Sequence, residues 1–227
     1  MSLTHVEVVF QVVVFLFAIS VHESAHAWTA WRCGDPTAYM LGRVTLNPVK
    51  HIDPFGTVLL PLFCLISNLP VIGWAKPTPV NPRNFQNLVR DDILTSVAGP
   101  VSNFLLATGA VLGMGLIAVL SPEEGRIVVR SLAGGFLVQT HSVVLPIALL
   151  LYNAMLINVL LGVFNLIPVP PLDGSHVLRH MLSESARQFY GTFGMIGLLL
   201  LFLVGGRVVG VLMTPVIGFF NAILMRL

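Results

Sequence analysis

Long apolar runs separated by short polar stretches dominate this chain. Crossing about 30 Å of hydrocarbon takes roughly 20 apolar residues in a helix. Four stretches reach that length, at about Val6 to Trp31, Ile93 to Leu120, Leu137 to Ile167 and Phe193 to Leu227. The last is interrupted by Gly205-Gly206-Arg207, which predicts two short helices. A further apolar block, Phe55 to Ile72, starts at Pro54-Phe55-Gly56 and holds Pro61 and Pro70. It reads either as a hairpin that leaves and re-enters the membrane on one side or as a plain spanning helix. Together the runs predict an all-α polytopic membrane protein. About five to six transmembrane helices are expected, with a short β-like or re-entrant segment after the first.

Composition agrees with a bilayer as the main solvent. Of the 227 residues 56% are hydrophobic and 10% charged, against about 25% charged in a soluble domain. A net charge of +2, with no run of Lys and Arg, excludes nucleic acid as a partner. Cys33 and Cys64 suffice neither for a disulfide framework nor for a four-cysteine zinc site. The N-terminus has no Lys or Arg before its apolar run and no small-residue cleavage pattern after it. It is expected to stay in the mature protein. No linker or repeat divides the chain, so residues 1–227 are expected to form one membrane domain, with a core at about 6–180 and C-terminal helices at about 190–227.

Arg32, Arg43, Lys50, Lys76, Arg83 and Arg90 hold half of the positive charge and flank the Phe55 to Ile72 block. The preference of positive charge for the cytosol puts both flanks inside. The loop Ser121 to Gly135, whose Glu123, Glu124, Arg126 and Arg130 cancel, then falls outside. The expected location is a plasma or inner membrane, crossed several times.

Against this background His22-Glu23-Ser24-Ala25-His26 stands out. Positions i and i+4 put two imidazoles on one helical face, at a spacing that holds one metal ion, with Glu23 beside them as a base for a water. Ionisable groups in a membrane helix are expensive, at least about 2.5 kcal/mol each, and a cation compensates them. Catalytic zinc usually takes three protein ligands. Candidates for the third are Asp35, Asp53, Asp91, Asp92 and Asp173. Asp35-Pro36 and Asp53-Pro54 read as turns or caps. Asp91 and Asp92 precede an apolar helix, where negative charge is favourable without a metal. Asp173 follows Asn165-Leu166-Ile167-Pro168-Val169-Pro170-Pro171-Leu172, a proline-rich helix break inside apolar sequence of the kind that membrane proteins keep where a site needs it. His5, His51, His176 and His180 read as solvated or interfacial. His141, at the start of a long apolar run, reads as lining a cavity away from the metal.

These residues resemble the site-2 proteases, intramembrane zinc metalloproteases. The likeness rests on H-E-x-x-H at His22 to His26 and on N-x-x-P-x-P-x-x-D-G at Asn165 to Gly174. A looser match is Gly99-Pro100-Val101-Ser102-Asn103. The stretches Gly42 to Pro48, His51 to Gly56 and Gly73 to Pro77 are similar to the compact bacterial branch, which has no extra soluble domains. The resemblance implies that His22, His26 and Asp173 bind one zinc and that Glu23 is the catalytic base and acid. It makes Asn165 and Asn103 candidates for holding the substrate or the oxyanion. It further implies a single-pass transmembrane protein as substrate and an active site toward the cytosolic side. The substrate would have to leave its helix before cleavage, by pairing with an edge strand for which Gly42 to Leu46 is the candidate. Two other readings compete: a divalent-cation transporter, which should carry ligands at several depths, and a non-catalytic membrane binding module, which has no need of Glu23.

Overall fold

A computed structural model describes residues 3–60, 63, 66, 67, 73–138, 140 and 142–227. Much of Phe55 to Ile72 lies outside these residues, and with it the choice between a re-entrant and a spanning segment; Cys64 and His141 lie outside them too. The helices are α1 (Leu3–Arg32), α2 (Thr37–Met40), α3 (Leu88–Leu120), α4 (Glu124–Ala133), α5 (Val144–Asn165), α6 (Asp173–Arg179) and α7 (Glu184–Leu224). Among the described residues there is no strand, and Gly42 to Leu46 is irregular chain. Four helices are long and apolar enough to cross a membrane, at Val8–Arg32, Leu88–Leu120, Val144–Asn165 and Gly206–Leu224. The protein is thus all-helical and multi-pass, with four such spans among the described residues.

Two sequence expectations are corrected. The C-terminal run is one continuous helix, α7, of 41 residues, not two short ones. Gly costs only about 1 kcal/mol in a helix, whereas an unsatisfied backbone group in hydrocarbon costs several, so the helix continues through Gly205-Gly206. The expected loop Ser121 to Gly135 contains α4. Its Gly125, Val128, Val129, Ser131 and Leu132 are buried while Arg126 and Arg130 are exposed, an amphipathic period that the cancelling charges conceal.

The chain divides into two compact units. One comprises Met1–Ala18 with Pro100–Leu227, the other Ile19–Gly99. In the first, α5 packs on α4 and α7, and α4 on α7. Its core joins Ala107, Ala110 and Met114 of α3 with Met155 and Val159 of α5 and Phe220 and Leu224 of α7. Small side chains on α3 let the neighbouring backbone come close, which is how helices associate without a hydrophobic driving force between them. Asn103 donates through Nδ2 to Oδ1 of Asn158 at 2.8 Å, a fully buried amide bond between α3 and α5.

The second unit is held by polar laces. After α1, Gly34 takes φ +105°, and a Cβ there would lie 2.9 Å from the Asn84 carbonyl oxygen, so only glycine fits. Asp35 is fully buried and accepts from the Thr37 amide and hydroxyl, the Asn81 amide and the Asn84 side chain. The prolyl segment 73–84 is tied down along its length. Trp74 donates its amide to Gly56 at 3.1 Å and Lys76 donates to His51 at 2.8 Å, and the Arg43 guanidinium donates to the Lys76 carbonyl. A Cβ on Gly56 would fall 2.3 Å from the Trp74 ring. The three stretches at Gly42, His51 and Gly73 are therefore one interlocked layer.

Candidate metal centre

The late part of α1 carries His22, Glu23 and His26. Helical spacing brings the two histidine rings edge to face, with centroids 4.6 Å apart and planes at 83°. Both are buried, at 7% exposure each. Nδ1 of His26 lies 2.7 Å from the Thr95 carbonyl oxygen of α3. A carbonyl oxygen only accepts, so Nδ1 carries the hydrogen and Nε2 keeps its lone pair for a ligand. That Nε2 lies 3.0 Å from Nε2 of His22. Two lone pairs at this distance repel unless a proton or a cation lies between them. Tetrahedral zinc with Zn–N bonds of about 2.0–2.1 Å holds its nitrogens about 3.3 Å apart, close to what the pair offers. The residues fit the ion in donor type, tautomer and spacing.

Gly99 closes one side of this pair. A Cβ there would lie 2.4 Å from Nε2 of His26 and 2.6 Å from Cε1 of His22. The small-residue match Gly99-Pro100 thus has a local reason, since nothing larger fits against the facing edges of the imidazoles.

Glu23 is half-buried and its carboxylate is held. Thr78 donates to Oε2 through its amide at 2.9 Å and its hydroxyl at 2.7 Å, and the same hydroxyl lies 3.0 Å from the Glu23 carbonyl oxygen. Thr78 carries no local signal, since it lies 55 positions from Glu23 on an irregular segment. Arg43 is buried within electrostatic reach of Glu23. Burial holds the guanidinium below its usual range, and the Glu23 charge partly offsets this. His51 corrects the expectation of a solvated ring. It is fully buried with Nε2 2.8 Å from the Thr45 carbonyl, and burial keeps its imidazole below the usual value despite that bond.

In the other unit α5 ends at Asn165, whose side-chain amide donates to the Leu161 carbonyl at 3.0 Å. The prolines then break the helix, with a cis bond between Pro170 and Pro171, and the chain restarts at Asp173, the first residue of α6. A Cβ on Gly174 would lie 2.2 Å from the Leu166 carbonyl oxygen, so glycine alone lets the restart pack against the helix end. Three of the other acidic candidates have local duties. Asp53 caps a turn through the amides of Phe55 and Gly56. Asp91 accepts from the Asn87 amide at 2.7 Å in the first turn of α3 and pairs with Arg90. Asp35 is the lace described above. Asn103 has its side-chain amide on Asn158.

Comparison with known proteins gives the same picture. The sequence pattern of peptidase family M50 matches residues 10–204. YwhC of Bacillus subtilis, described as a candidate zinc metalloprotease, is 38% identical over 176 residues, covering 78% of this chain and 70% of that protein. Rip2 of Mycolicibacterium smegmatis, described likewise, is 30% identical over 174 residues, 76% of this chain and 58% of its own length. Rip2 of Mycobacterium tuberculosis is 31% identical over 193 residues, 83% and 64% of the two chains. No solved structure matches.

Proposed function

Since the chain belongs to peptidase family M50 and is an intramembrane zinc metalloprotease of the site-2 type, we propose that His22, His26 and Asp173 hold one zinc and that Glu23 is its catalytic base and acid. The observation that carries this reading is the buried pair of facing Nε2 atoms, with Glu23 on the next position of the same helix and the His26 tautomer fixed by Thr95. The pair has the donor type and spacing that a zinc ion takes, and a pure binder has no use for the carboxylate beside it. A transporter reading, with ligands spread over several depths, finds no support in the family match.

Zinc, when bound, supplies a Lewis acid that polarises the scissile carbonyl and makes water acidic enough to attack near neutral pH. The two histidines and Asp173 orient it, and Thr95 fixes His26. Glu23 takes the proton from the attacking water and hands it to the leaving amine. Asn165, whose amide already has one helical partner, presents its remaining polar atoms to the substrate or the developing oxyanion. Asn103, which donates to Asn158 across the packed helices, is the second candidate for holding the substrate or the oxyanion. The substrate class is a membrane protein; we take it to be a single-pass segment drawn out of helix before cleavage, along the irregular Gly42 to Leu46 chain as an edge. Three cationic residues on either side of Phe55 to Ile72 favour the cytosol and put the centre toward that side.

The test is Glu23→Gln in detergent-purified protein with a model transmembrane substrate. Zinc stays bound while turnover falls by about 100-fold or more. Retained cleavage would remove Glu23 from the chemistry.

A further inference from the structure

We propose that Thr78 is a positioning residue for Glu23, setting which carboxylate oxygen meets the water. The inference rests on Glu23 being the base, and deepens that reading. A glutamate on a helix has three rotatable bonds, and a base that samples them all loses most of the advantage of proximity. Here the amide and the hydroxyl of Thr78 both donate to Oε2, at 2.9 and 2.7 Å, and Oε1 takes neither bond. With Oε2 occupied by two donors, the proton from water goes to Oε1.

The clamp is stiff because of its own sequence. Pro77 and Pro79 lack an amide hydrogen and have fixed φ, so in Pro77-Thr78-Pro79 only Thr78 can offer its N–H. Both ends of the segment are anchored. Lys76 donates its amide to the His51 carbonyl and takes the Arg43 guanidinium on its own carbonyl. Asn81 donates its amide to buried Asp35 at 2.7 Å. The hydroxyl has one hydrogen for two acceptors, the Glu23 carbonyl oxygen at 3.0 Å and Oε2 at 2.7 Å. The nearer, charged acceptor makes the stronger bond. Its bonds run to Glu23, and Thr78 acts through that residue.

Thr78→Val keeps the shape and the amide and deletes the hydroxyl, while Thr78→Ser keeps both donors. Both are measured for kcat, KM and bound zinc beside wild type and Glu23→Gln. With Thr78→Val, kcat falls about 10- to 100-fold while KM and zinc content stay at wild-type values. With Thr78→Ser, kcat returns to within about threefold of wild type, because both bonds are restored. Wild-type kcat in Thr78→Val overturns the proposal. So does a loss that Thr78→Ser shares, a loss confined to KM, or one accompanied by loss of zinc, each of which marks a structural or substrate-holding role. The assignment of Glu23 stands or falls separately, on whether Glu23→Gln still cleaves.

Discussion

Gly99 sits against His26 so closely that a single added carbon would lie 2.4 Å from its Nε2 atom. Contacts of that length do not occur between a Cβ and a ring nitrogen, so Gly99→Ala must push the imidazole away or tilt α3 against α1. Zinc affinity is expected to fall roughly 10- to 100-fold, as when a group supporting a ligand is removed. Gly109→Ala, in the same helix with nothing within 4 Å, is the matched control and leaves zinc unchanged. Zinc titration of the two variants checks this.

A second steric argument concerns Gly174. Its Cβ would lie 2.2 Å from the Leu166 carbonyl oxygen, a backbone atom with little room to yield. Gly174→Ala therefore moves Asp173 or the end of α5, and cleavage and zinc are both lost. The lesion should lower thermal stability by about 1–3 kcal/mol. Gly210→Ala in α7 meets nothing within 4 Å, and there stability holds or rises slightly. Melting curves followed together with zinc content separate the two.

Asp35 predicts how stability responds to acid. Desolvation raises its pKa, yet the bonds from Thr37, Asn81 and Asn84 outweigh it, and the net direction is below the usual 3.8. A carboxyl whose folded value is depressed contributes stability above its unfolded pKa and loses it as pH falls through the folded one. Acid should therefore loosen the Ile19–Gly99 unit only below about pH 4. Asp35→Ala removes that dependence and leaves buried donors unpaired, at a cost of roughly 3 kcal/mol. Thermal melts of wild type and variant between neutral pH and about pH 3 show whether the difference narrows as Asp35 protonates.

The parts legible in the sequence were those with local periodicity. The facing histidines follow from the i, i+4 spacing, and the long apolar helices follow from run length. Asp53 is legible as a cap because the residues it caps follow within three positions, and Asp91 as favourable charge at a helix start because it takes the amide of Asn87 four positions before it. Thr78 had no such signal, since its partner lies 55 positions away and only a folded segment brings them together. His51 looked solvated because its neighbours are polar, but those neighbours turn their polar atoms on each other and bury the ring. α4 hides in the sequence because its charges cancel over about two turns of an amphipathic helix, and Gly205-Gly206 looks like a break in α7 only at the weight glycine carries in water. In a membrane the backbone has no alternative partner, and the helix continues.

The central claim is that one zinc is held by two histidines of α1 and by Asp173. Its most direct test is the zinc content of detergent-purified protein, wild type against Asp173→Ala, read beside cleavage of a model transmembrane substrate. The account predicts about one zinc per chain in the wild type, with zinc and cleavage lost together in the variant. Full zinc and full cleavage in Asp173→Ala would contradict it and send the search for the third ligand elsewhere in the chain.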